Sequence, residues 1–130
     1  YNNVGNVLSD LGGHTEALPY LQNALEIMRK ARGEDHPDTA TNYHNVGINF
    51  SNLGRHAEAL QYTQKALEIR RKAHGEDHPD TALSYNNFGV MLRELGRHAE
   101  AIQYTQKALE IRRKILREDH PDTGTSYNDV

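Results

Sequence analysis

The 130-residue sequence contains no cysteine. That excludes disulfides, zinc–thiolate sites and cysteine nucleophiles, and it fits a cytoplasmic setting. No apolar run approaches the ~20 residues needed to span a bilayer, and no signal-like segment opens the chain. Blocks of one charge sign are missing too. The formal charge of −3 arises from 15 basic and 18 acidic residues scattered along the chain, which leaves no concentrated cationic face for nucleic acid or an anionic membrane. There is no glycine-rich phosphate loop, no nucleophile beside a base and no isolated carboxylate pair, so neither an enzyme nor a bound cofactor is expected. Apolar residues are sparse, at 36%. A stack of repeats, each burying a narrow stripe against its neighbours, tolerates that composition better than a globule does.

What the sequence does have is a period. Tyr1, Tyr43, Tyr85 and Tyr127 open equivalent segments 42 residues apart, Gly5, Gly47 and Gly89 share one phase, and Ala24, Ala66 and Ala108 share another. The hexapeptide Glu-Asp-His-Pro-Asp-Thr recurs at Glu34–Thr39, Glu76–Thr81 and Glu118–Thr123. Residues 1–42, 43–84 and 85–126 are three repeats of a single array, and residues 127–130 begin a fourth. Tyr1 falls in mid-pattern, so the chain reads as a piece of a longer protein.

Each period reads as two helices. The first, helix A, is expected from about Pro37 to Leu53, near Pro79–Leu95, and from Pro121 onward. Proline suits a first helical turn, and Asp38 there complements the helix dipole. Tyr43, Val46, Gly47, Phe50 and Leu53 recur at three- and four-residue steps on one face, and Gly54 supplies the stop. Helix B is expected from about Arg55 to Ala73. One stripe on it comprises Ala59, Leu60, Thr63, Ala66 and Leu67; an adjoining one comprises Tyr62, Ala66, Ile69 and Ala73. Gly33 and Gly75 end helix B in the first two repeats, whereas the third has Arg117 and a weaker stop. Pro19, inside the first helix B, removes one backbone bond and is expected to bend that helix near Thr15.

These residues carry a resemblance. The tetratricopeptide pattern runs aromatic, Leu-Gly, Tyr, Ala-x-x-x-Phe, a further Ala and a Pro. The sequence offers Tyr43, Val46-Gly47, Phe50, Gly54, Ala59 and Ala66, then Tyr85, Phe88-Gly89, Leu92, Gly96, Ala101 and Ala108. Small residues at Gly47 and Ala59 let the two helices approach closely. Two departures stand out: the aromatic four residues after the first Ala is Thr63 or Thr105 (Leu21 in the first repeat), and a longer helix B with the Asp-His-Pro-Asp loop replaces the terminal Pro. This 42-residue form resembles the repeats of kinesin light chains. HEAT and WD40 repeats are of similar length, but HEAT repeats lack this Gly/Ala register and WD40 repeats need strands. The fold class implied is all-α, a superhelical solenoid of antiparallel helix pairs.

Between the second and third repeats, Leu53–Ala59 and Leu95–Ala101 are identical, whereas His44, Ile48, Asn49, Ser51 and Asn52 become Asn86, Val90, Met91, Arg93 and Glu94. In similar proteins the A helices line a concave face on which extended peptides bind. The resemblance therefore implies a peptide groove at Asn2, Asn6, Ser9, Asp10, His44, Asn45, Ile48, Ser51, Asn52, Asn86, Asn87, Val90, Arg93 and Glu94. Its many asparagines can both donate to and accept from a peptide backbone. Asn3, Asn45 and Asn87 serve equally well as bonds to a neighbouring helix. Relatives that clamp C-terminal carboxylates use groove cations; Asn2, Ala82 and Asn87 stand at those positions, so no such clamp is expected, although Asn6 and Asn45 match its asparagines.

Eight histidines invite a metal reading. His14, His56 and His98 recur at the repeat period, as do His36, His78 and His120, but equivalent residues in stacked repeats lie about 10 Å apart, too far to share an ion. His74 and His78 are four apart with Gly75 between them, so no metal site is expected; Asp35 or His36 is expected to cap helix A. Arg70-Arg71-Lys72 and Arg112-Arg113-Lys114 read as a solvated face at helix ends, with Glu68 and Glu110 four residues before the lysines. The expected function is a protein-interaction scaffold holding an extended segment of a protein or peptide partner, without nucleic acid or membrane; head-to-tail self-association is the alternative.

Overall fold

The computed structural model describes residues 13–119. The expectations placed on Asn2, Asn3, Asn6, Ser9 and Asp10, and on residues from Pro121 onward, lie outside them. Five helices follow one another: α1 (His14–Arg32), α2 (Pro37–Asn52), α3 (His56–His74), α4 (Pro79–Glu94) and α5 (His98–Asp119). No strand occurs among the described residues. α2 and α4 are A helices; α1, α3 and α5 are B helices. Each packs on the next in the chain, which is the connectivity of a linear stack.

The recurrent loop builds each B-to-A junction, and nearly every residue in it has a task. Gly33 (φ +96) and Gly75 (φ +80) adopt backbone angles that a side chain would strain, and their N–H groups donate to the carbonyls of Arg29 and Arg71 at 3.0 and 2.9 Å. His36 and His78 are the N-caps: each Nδ1 accepts the N–H of Asp38 or Asp80 at 3.0 Å. Pro37 and Pro79 open the helices. Thr39 and Thr81 are fully buried, and their hydroxyls donate to the Gly33 and Gly75 carbonyls at 2.6 and 2.8 Å. Where Arg117 replaces the glycine, the helix runs on, and α5 has 22 residues against 19 in α3. At the A-to-B turn Gly54 has φ +77, and the Arg55 N–H reaches back to the Phe50 carbonyl at 2.9 Å.

The A–B seam is closed by glycine. A Cβ on Gly47 would lie 2.9 Å from Thr63 Cγ2, and one on Gly89 would lie 2.7 Å from Thr105 Cγ2. The threonine that departs from the family pattern therefore fills the seam with its methyl group, while its hydroxyl returns to the Ala59 carbonyl at 2.9 Å. The aromatic is displaced by one position. Tyr62 stacks on Phe50 at 5.3 Å between ring centroids, and Tyr104 meets Phe88 edge-on at 4.7 Å. Two buried clusters result. One joins Leu21 and Leu25 of α1 to Tyr43, Val46 and Phe50 of α2 and Ala59, Ala66 and Ile69 of α3; the other joins Leu67 of α3 to Tyr85, Phe88 and Leu92 of α4 and Ala101, Ala108 and Ile111 of α5.

α1 spans His14–Arg32 with exposed Pro19 inside it, so the proline does not end the helix, but two other local expectations change. Ala73 is exposed rather than part of the inner stripe. Arg70 does not belong to a solvated face: it is only 5% exposed, because α4 packs over that side of α3.

Candidate functional site

α2 and α4 present their variable positions side by side. His44, Asn45, Ile48 and Ser51 are half-buried and Asn52 is exposed; Asn86, Asn87 and Val90 are half-buried, and Arg93 and Glu94 are exposed. Partial exposure on consecutive turns is what a shallow binding strip requires. The two helices are tied directly, with Asn87 Nδ2 3.0 Å from His44 Nδ1. Of the two roles open to Asn87, the structure favours the bond to a neighbouring helix. Val90 packs against the first core cluster, so its apolar side chain is committed to the stack. Arg93 and Glu94 lie 3.9 Å apart at the far end of α4. Arg93 also borders a cleft with His98, Ile102 and Thr105 of α5, about two turns along the helix from the His44–Asn87 contact.

Beneath that contact lies a polar floor that sequence reasoning missed. Arg70 of α3 donates from one terminal nitrogen to Ser84 Oγ at 2.9 Å, and the other lies 3.5 Å from Thr41 Oγ1. One guanidinium thus bridges two successive A helices from below. Burial lowers its proton affinity, and only the more distant Asp80 charge offsets that. The same burial, with Arg70 nearby, pushes the His44 imidazole down to about 4, so His44 is neutral at physiological pH and its Nδ1 is free to accept from Asn87. The methionine at the equivalent position of the first repeat, Met28, gives no hint of this role. A second omission is Asn49: buried to 1% exposure, it donates to the His14 carbonyl at 2.8 Å and pins α2 to the start of α1.

A second polar array runs along the edge formed by the junction loops. Glu34 accepts from the Tyr43 hydroxyl and from Arg29 Nε at 2.6 Å, with Lys65 Nζ at 3.5 Å. One repeat later, Glu76 accepts from Tyr85 at 2.6 Å and Arg71 at 2.6 Å, with Lys107 at 3.8 Å. Lys72 was expected to pair with Glu68 along its own helix, but it donates to Asp35 at 2.8 Å; Lys114 reaches Asp77 at 2.6 Å. The Tyr43 hydrogen bond, then Arg29, hold the Glu34 carboxyl below the ordinary range. Burial alone would raise Glu76, but Tyr85 and Arg71 override it and leave it lowered. Burial, reinforced by Glu76, pushes the Tyr85 phenol up to about 12. Leu25, Arg29, Tyr43, Gln61, Tyr62 and Lys65 line a recess on this side, and Glu34 already engages both of its cations.

His14 and His56, which recur at the repeat period, each bury an Nδ1 that has no partner among the described residues. None of the described helices is long and apolar enough to cross a membrane.

No curated protein matches the chain. Among solved structures, BtubC (BKLC) from P. vanneervenii is 26% identical, with a TM-score of 0.82 over 88% of this chain and 46% of that one. A Podospora anserina kinesin-light-chain-type protein of nearly identical TPR-like repeats is 22% identical, with a TM-score of 0.81 over 92% of this chain and 57% of that one. The chain therefore spans about half the length of these structures. The tetratricopeptide repeat model matches residues 1–72, 49–114 and 85–130. With helix pairs stacked every 42 residues, a glycine–threonine seam and that match along its whole length, the chain belongs to the tetratricopeptide repeat family.

Proposed function

We propose that the chain is a cytoplasmic, non-catalytic scaffold that holds an extended segment of a partner protein along the strip formed by α2 and α4. Tetratricopeptide repeats generally mediate protein–protein interaction. The observation that carries the reading here is where the repeats differ. The turn from Leu53 to Ala59 is identical to that from Leu95 to Ala101, whereas the half-exposed positions of α2 and α4 diverge from each other. Asn86 offers a peptide backbone both a donor and an acceptor, and exposed Arg93 offers it charge. His44 and Asn87 satisfy each other and act as the wall of the strip. By the same register, Asn2, Asn6, Ser9 and Asp10 would continue the strip in the first repeat.

The test is a selection of extended peptides from a random-peptide library, followed by affinity and melting measurements. Replacing Asn86 and Arg93 together by alanine is expected to weaken the selected peptides about tenfold or more, at ~1 kcal/mol per lost polar contact, with an unchanged melting temperature. Peptides bound equally well by the double variant, or affinity lost only in step with stability, would contradict the reading.

A second reading, head-to-tail self-association, rests on α5. Its Ile102, Leu109 and Leu116 are 53, 48 and 43% exposed, whereas Leu67, the counterpart of Leu109, is 4% exposed beside α4. A stacking face with no cover among the described residues can seat another array. Light scattering across a concentration series decides it, because a strictly monomeric mass at the highest concentration removes this reading.

A further inference from the structure

The junction between α3 and α4 differs from the one before it in a single functional respect. His74 is the last residue of α3, His78 caps α4, and Asp80 lies in the first turn of α4. The loop through Gly75 folds back so that the two imidazoles stack, 4.0 Å between centroids and 11° from parallel. Asp80 Oδ2 lies 3.8 Å from His74 Nε2 and 4.0 Å from His78 Nδ1. The three side chains offer ligand atoms that all fall within 4.8 Å of one another. At the preceding junction His36 and Asp38 have the same arrangement, 3.7 Å apart, but Arg32 stands where His74 does. An arginine is always charged and offers no lone pair. The period therefore repeats two of the three ligands, and the third arises only where α3 ends in histidine.

We propose that His74, His78 and Asp80 form a site for a divalent first-row transition ion, with Zn²⁺ the reference case. Two imidazoles and one carboxylate suit zinc, nickel or copper better than calcium or magnesium, which favour oxygen-rich shells. Around a zinc ion at about 2.0–2.2 Å from each ligand, ligand atoms sit roughly 3.3 Å apart. The cluster must therefore contract by about 1.5 Å at most, with the stacked rings tilting so that their in-plane lone pairs converge. Asp80 is exposed and both histidines are half-buried, so the movement falls on side chains at a loop rather than on the core. His78 Nδ1 exchanges its hydrogen bond from the Asp80 N–H for the ion, and water completes the coordination. The ion would clip the end of α3 to the start of α4 and so fix the angle between two repeats. Recurrence alone would not place a site here, because His14, His56 and His98 belong to separate repeats.

The test uses the whole chain, free of any affinity tag, titrated with ZnCl₂ by calorimetry. One ion per chain and a raised melting temperature are expected. His74→Arg restores the residue of the preceding junction and is expected to keep the metal-free melting temperature; it should weaken zinc at least about tenfold, since even outer-sphere partners of a metal contribute about 10–100-fold. Asp80→Asn should weaken zinc as well, while His98→Gln, at an exposed histidine outside the cluster, should leave it unchanged. Cu²⁺ loaded at one equivalent should show two coupled imidazole nitrogens by electron paramagnetic resonance, and fewer in His74→Arg. Absence of zinc binding, or binding by His74→Arg equal to that of the unaltered chain, would overturn the proposal.

Discussion

Gly47 and Gly89 show how much of the fold depends on single atoms. A methyl group at either position would meet a threonine Cγ2 inside 3.0 Å, with a backbone carbonyl at 3.3 or 3.1 Å behind it. Gly47→Ala is expected to destabilise the array by about 1–3 kcal/mol through overpacking, despite the better helix propensity of alanine; chemical denaturation followed by circular dichroism measures it. Titrating side chains set the acid limit of stability. Glu34 and Glu76 have folded values below the usual 4.5, so their contribution is present above about pH 4.5 and disappears as pH falls through the lowered values. Both are about a third exposed, and solvent screening keeps that contribution modest. His44 acts earlier. Its folded value of about 4 lies below the ordinary 6.5, so folding favours the neutral ring, and stability declines as pH falls from about 6.5 towards 4. His44→Asn, which installs the residue found at Asn86, should flatten that first decline in pH-dependent melting. An unchanged decline would mean that the ring is hydrated. The role of Gly47 was legible in the sequence, but the burial of His44 was not, because it depends on Arg70 and α4, which its own neighbours in the chain do not reveal.

At the scale of the element, the sequence was far more legible. Proline at the first turn, glycine at the stops and histidine before proline each have a local physical meaning, and the helices start and end within a residue or two of where those signals fall. The extension of α5 past Arg117 follows from the same logic. His36 caps α2 with its ring nitrogen, so His36→Ala is expected to cost about 0.5–2 kcal/mol, read as a lower unfolding midpoint. Pairing between elements was harder to see. Lys72 lies four residues from Glu68, yet the loop brings Asp35 closer, and Arg70 looked like one of three solvated cations until α4 was placed over it. Tertiary neighbours decide such partners, and periodicity along one helix carries no information about them. The same limit hid His74 and His78, whose rings meet because the loop doubles back across Gly75.

At the scale of the whole molecule, a 42-residue period implies a stack in which neighbours along the chain are neighbours in space, and the packing order of α1 to α5 follows it. The strip of A helices is readable as the place where otherwise matching repeats diverge; its chemistry is less so, since Asn87 turned out to bond His44 and Val90 to join the core side. A chain without native cysteine allows the arrangement to be tested cleanly. Asn52 and Glu94 are exposed, equivalent and one repeat apart. Cysteines placed at both and carrying nitroxides should sit about 10 Å apart at the backbone and remain mobile at the surface, giving strong dipolar broadening relative to the two singly labelled chains. A doubly labelled spectrum equal to the sum of the single ones, or labels immobilised as in a protein interior, would contradict an open row of stacked first helices.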